Sequence, residues 1–148
     1  MKKAFTMVEI IFVIVVLGIL ASIGLTRLSA TRDDAEVATS VQKLSHLISD
    51  IGSYYTANGT YDTNLSSMTN VILVDSSNNI FTGNLMTTPA YFANSARTKL
   101  CFKIVLNDSN GTLTVRDENE GSSYCRALSK MAANLITTHS FGGSTIFK

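Results

Sequence analysis

The chain has 148 residues, 45% of them apolar and 16% charged, with a mean hydropathy of +0.21. That length supports one modest core, and the apolar content excludes a disordered protein. Twelve Lys/Arg stand against eleven Asp/Glu for a net charge of +1, so bulk charge singles out neither nucleic acid nor an acidic ligand.

The apolar residues are concentrated at the start. Residues 5–25 read FTMVEIIFVIVVLGILASIGL and carry one charge, Glu9. As a helix this stretch spans ~31 Å, about the thickness of a bilayer hydrocarbon core. Lys2 and Lys3 ahead of it favour a cytoplasmic N-terminus. The expectation is a single-pass inner-membrane segment with the head in the periplasm. A secretory signal peptide cut after Leu28-Ser29-Ala30 and a plain one-pass anchor compete with it. Neither accounts for Glu9, an ionisable group whose insertion among apolar residues costs ~2.5–3.5 kcal/mol.

Lys2-Lys3-Ala4-Phe5-Thr6-Met7-Val8-Glu9, running straight into the apolar stretch, resembles the N-terminal signature of type IV pilins. The same signature opens the pseudopilins of type II secretion and DNA-uptake systems. In that family a short basic leader ends at a small residue, usually Gly, and Phe-Thr-Leu-x-Glu begins a hydrophobic helix. Here Ala4 stands in place of the Gly and Met7 in place of the Leu. The resemblance implies cleavage between Ala4 and Phe5 by a prepilin peptidase, N-methylation of Phe5, and polymerisation by an inner-membrane assembly platform. The product would be a homopolymer, or a heteropolymer with other pilins: a periplasmic pseudopilus or a cell-surface filament.

Glu9 falls where the family keeps its glutamate. Cleavage before Phe5 exposes an α-amine that is cationic at neutral pH. Glu9 would meet that amine on a neighbouring subunit and set the axial stagger, or meet the amine of its own chain. The domain organisation follows: leader 1–4, hydrophobic transmembrane and assembly helix 5–25, amphipathic continuation 26–57, and globular head 58–148.

In the continuation, Val37, Val41, Leu44, Ile48, Ile51 and Tyr55 recur at spacings of four and three, one apolar seam of a helix. It is too short for a coiled coil and reads as core packing. Asn58-Gly59 supplies a stop. The following Ser/Thr/Asn-rich connection contains one apolar run, Val71 to Val74, that reads as a strand. The clearest β signal is Leu100 to Leu106 and Thr112 to Arg116, alternating apolar and polar about a five-residue turn-forming loop. Tyr124 to Ile136 reads as a short helix or turn-rich segment, and Gly142-Gly143 as the start of a flexible tail. The predicted class is α+β, pilin-like: a long N-terminal helix, half transmembrane and half packed on a small antiparallel sheet.

Cys101 and Cys125 are the only cysteines. In a head outside the cytoplasm they predict a disulfide in preference to a metal site, because no His accompanies them; two reduced, buried thiols are the alternative. A disulfide near the C-terminus is also what the pilin resemblance implies. Asp108, Asn110, Asp117, Glu118 and Glu120 offer a weak calcium set that lacks the closing Glu of a twelve-residue loop. Asn64 and Asn110 sit in sequences similar to an acidic-extended glycosylation sequon. Lys99, Lys103 and Arg116 are candidate contacts to DNA phosphates, in a C-terminal stretch that is net basic. His46 and His139 belong to no catalytic spacing, and no Ser-His-Asp order, phosphate loop or HExxH occurs. No enzyme, cofactor or metal is expected. The functional expectation is a structural filament subunit, pilin or pseudopilin. The alternative is a monomeric periplasmic binding module that uses the same helix only as an anchor.

Overall fold

The computed structural model describes residues 6–118 and 121–142, with side chains described at all of these except 24–31. Lys2, Lys3, Ala4, Phe5, Glu120 and Gly143 lie outside the described residues. The chain divides into two compact units, Met1–Ala35 and Glu36–Lys148. One helix, α1 (Met7–Asn58), supplies residues to both.

The first unit consists, in its described part, of α1 up to Ala35 and Thr6 before it. Among the described residues no helix is long and apolar enough to cross a membrane. This corrects the expected transmembrane half of the fold, and with it the single-pass placement of a cytoplasmic N-terminus and a periplasmic head. The physical reason is Glu9: between it and Arg27 the sequence has 17 uncharged residues, ~25 Å of helix against ~30 Å of hydrocarbon.

The second unit is helix on sheet. A helical turn, α2 (Leu65–Met68), follows α1, with Asn64 at its N-cap accepting from the Ser66 amide at 3.1 Å. Four strands form an antiparallel meander in the order β1-β2-β3-β4: β1 (Ala90–Ala93), β2 (Leu100–Asn107), β3 (Thr112–Asp117) and β4 (Thr138–Ser140). Helix α3 (Ser123–Met131) lies between β3 and β4 in the chain. Val71 to Val74 is not a strand. Only Val74 bridges, to Ile80 and to Tyr91.

Register explains the core. Ile104 faces Ala90 and Val115, Phe102 faces Phe92, and Leu106 faces Leu113, all buried on one side of the sheet. Against them packs the 36–58 part of α1. Val37, Leu44, Ile48 and Ile51 are buried, with Val41 and Tyr55 packed beside them. The buried stripe is wider than a seam of fours and threes, because Leu47 is fully buried and Ser40 is 3% exposed. Ser40 is tolerated there because its hydroxyl lies 2.7 Å from that of Tyr124 on α3. Burial raises the Tyr124 phenol above its ordinary range, with the Ser40 bond opposing that shift.

Three polar ties close the unit. Gly59, with φ of 73°, ends α1 and returns its amide to the Tyr55 carbonyl at 2.7 Å. Asp108, at the β2–β3 turn, accepts from the Thr60 hydroxyl at 3.1 Å and the Tyr61 amide at 2.9 Å. Phe141 donates its amide to the Gly111 carbonyl at 2.8 Å and lays its ring over Gly52, where a Cβ would stand 2.6 Å away. Gly142 is itself bonded to the hairpin turn, and the flexible tail expected from Gly142-Gly143 onward otherwise lies outside the described residues. Cys101 and Cys125 form a disulfide that joins β2 to α3, and both residues are fully buried.

The bridge spans a sequence separation of 24, a loop whose closure restrains the unfolded chain by ~3–4 kcal/mol. A Cys101→Ser/Cys125→Ser variant is expected to lose about that much stability in urea titration. An unchanged midpoint would show that the bridge contributes nothing. A pH dependence follows from the turn at Asp75. Its carboxylate accepts from the Asn79 amide at 3.0 Å and the Ser77 amide at 2.7 Å, and those bonds hold it below the usual carboxylate range. The folded-state pKa is lowered, so its contribution is present above the ordinary carboxylate range and is lost as pH falls through the folded value. Thermal melts of Asp75→Asn against the parent between pH 6 and pH 2 are expected to converge at the acid end.

Candidate assembly helix

The first turn of α1 is fixed by two side chains. The Glu9 amide donates to Thr6 Oγ1 and the Thr6 amide donates to Glu9 Oε2, each at 3.4 Å. The Thr6 carbonyl also accepts from the Glu9 and Ile10 amides at 3.1 and 3.3 Å. This is a capping box, in which N-cap and third helical residue satisfy each other's unpaired donors. A carboxylate in the first turn is favoured further by the helix dipole. Glu9 thus has a local structural role that the sequence reading did not assign it. The signal was present, since Thr-x-x-Glu directly before an apolar run is the sequence form of that box.

Beyond the cap, every large apolar side chain from Met7 to Ile23 is exposed, from 37% at Val16 to 86% at Met7. An ordinary surface helix hides one apolar stripe, whereas one apolar all round belongs inside something. Thirteen such side chains are involved, each worth ~1.5–3 kcal/mol on full burial. The unrealised burial is therefore on the order of 20 kcal/mol or more, against an association cost of ~4–15 kcal/mol. Gly18 lies in the middle of this surface with nothing within 4 Å of where a Cβ would be. Among the described residues nothing requires a glycine there, although it weakens the helix by ~1 kcal/mol relative to alanine.

The other sequence-predicted residues are dispersed over the second unit. Lys103 and Arg116 stand directly opposite each other on β2 and β3, whereas Lys99 lies before β2 in a turn closed by Asn94. Of the weak calcium set, Glu120 lies outside the described residues. Asp108 is occupied by Thr60 and Tyr61, Asp117 accepts from Ser129, and no group of three His, Cys, Asp or Glu suited to a metal occurs among the described residues. Asn64 serves as the α2 cap, and Asn110 is exposed in the hairpin turn. His139 contacts the Leu135 carbonyl at 3.0 Å, and His46 is exposed.

Comparison with protein-family models, with curated proteins and with solved structures finds no match to this chain.

The cap makes a local prediction. Thr6→Ala removes one half of the box and is expected to cost the first turn ~1 kcal/mol, about a fivefold rise in exchange of the Glu9 amide. Hydrogen exchange read residue by residue checks it, with the amides of α3 as the unaffected reference.

Proposed function

We propose that the protein is a structural subunit of a filament of the type IV pilin or pseudopilin kind, and that residues 7–23 of α1 are its assembly element. The observation that carries this reading is the helix that is apolar on every side and exposed on every side, opened by the Thr6–Glu9 cap. Packing such helices side by side from many copies removes the whole surface from water, which a single face-to-face dimer does not. The second unit, with its own core and disulfide, would be carried on the outside as a preformed body.

Processing between Ala4 and Phe5 by a prepilin peptidase would place a new amine one residue before the cap. Glu9 is suited to receive such an amine from an adjacent copy. Its carboxylate is exposed, its bond from the Thr6 amide is a long one to a neutral donor, and a charge-assisted bond is roughly twice as strong as a neutral one. Pairing would then fix the stagger between copies, while the apolar side chains supply most of the energy.

The test is co-expression with a prepilin peptidase and assembly machinery. The mature chain is expected to begin at methylated Phe5 by mass spectrometry, and filaments are expected by electron microscopy. Glu9→Val is expected to leave cleavage intact and abolish filaments, while Glu9→Asp retains a reduced number. Filament yield from Glu9→Val equal to the parent's would remove Glu9 from the account, and a mature protein starting at Met1 would remove the processing step.

A further inference from the structure

The connection from α1 to β1 leaves a cleft of about 540 Å³ in the second unit, bounded by Ser40 and Lys43 of α1, by residues 70–74 and by the turn after β1. That volume lies in the range of small-molecule sites. Val74 and Phe92, both buried, form part of its apolar wall, and Ile72 and Ile80 continue it at 63% and 52% exposed. Among the described residues the second unit leaves one other large apolar side chain exposed, Met131. Two of the three therefore stand on this one cleft. The charged residues that line it are both cations, Lys43 and Arg97, and neither side chain has a hydrogen bond or ion pair among the described residues. Glu36 does not line the cleft. Its carboxylate accepts from the Ser95 amide at 3.3 Å, at the rim.

Arg97 is also costly to place. Its φ of 56° is left-handed backbone, where Gly or Asn is the less strained choice. Asn94 holds that turn, its side-chain oxygen accepting from the Thr98 and Lys99 amides at 2.8 and 2.9 Å and its carbonyl from the Arg97 amide at 2.8 Å. The backbone gives no reason for an arginine there, whereas the cleft gives one. A recess with apolar walls and two cations, with the Asn70 side-chain amide beside them, suits a molecule that has an apolar body and one anionic end. An inorganic anion would leave the walls uncovered, and a neutral apolar molecule would leave both cations unmatched. We infer that the cleft binds a small amphipathic carboxylate, its body against Val74, Phe92 and the two isoleucines and its carboxylate toward Lys43 and Arg97. The inference is independent of the filament reading, because every residue in it belongs to the second unit.

The experiment is a titration of the full-length protein, in micelles of a non-ionic detergent, followed by amide proton–nitrogen correlation spectra. The probes are 3-phenylpropionate, its uncharged counterpart 3-phenylpropanamide, and acetate, which keeps the charge and lacks the body. Saturable shifts with 3-phenylpropionate are expected at the amides of Ile72, Ser95 and Arg97. Both other probes are expected to bind roughly tenfold more weakly or worse, since each forfeits one half of the contact. Lys43→Gln/Arg97→Gln is expected to lower affinity for 3-phenylpropionate about tenfold or more, with the amides of β2 and β3 unmoved as evidence of an intact fold. Absence of saturable shifts at those three amides, or shifts confined to residues 7–23, would overturn the proposal. So would undiminished binding by the double variant, equal affinity for the uncharged amide, which would mark a merely apolar recess, or equal affinity for acetate, which would mark an anion site without a use for its walls.

Discussion

The structure turns on an apolar helix whose large side chains are exposed among the described residues. From Met7 to Ile23 every large side chain faces outward, and the surface so exposed represents far more free energy than association requires. A stripe on one side would be satisfied by one partner. An apolar surface on all sides needs cover on all sides, which is what the proposed filament would supply. The cap at Thr6 and Glu9 shows how such a segment begins: its unpaired amides are satisfied within the first turn, so the helix is set from its first residues without help from outside.

The second unit is self-sufficient. Its core joins the 36–58 part of α1 to one face of a four-stranded meander, and the disulfide, the Asp108 bonds and the Phe141 return all fasten chain ends or turns to that core. Gly111 illustrates how closely the pieces fit. With φ of 58° it turns the hairpin in the left-handed region, and a Cβ there would stand 2.5 Å from the Tyr55 ring. Two independent requirements, conformational and steric, fall on one residue that the sequence marks only as part of an Asn-Gly turn. The two units thus differ on physical grounds: the described apolar start of α1 is exposed, and the second unit has buried a core of its own.

What the sequence revealed depended on how long each pattern ran. Leu100 to Leu106 and Thr112 to Arg116 alternate over several residues about a Gly-containing loop, and the β2–β3 hairpin lies there. The helical seam from Val37 to Tyr55 was equally legible, but Leu47 and Ser40 fell outside strict spacing because the sheet covers a broader arc of the helix than a coiled-coil seam. Strands β1 and β4 have four and three residues, too short for a period, and exist because β2 and β3 offer them edges. Val71 to Val74 has strand-like composition, yet only Val74 forms β-bridges among the described residues. At the N-terminus the apolar run was plain while its meaning was not. Hydropathy suggested a membrane span that the described helix does not provide, and attention to Glu9 as a charge in an apolar run obscured its place in a capping box.

The central claim is that residues 7–23 are buried against other copies of the same chain. Helical reconstruction of assembled protein by electron cryomicroscopy tests it most directly. The account predicts a central bundle in which residues 7–23 of each copy contact those of several neighbours, with the disulfide-bridged units arrayed outside. A polymer held together only through the sheet units, with residues 7–23 in solvent, would contradict it.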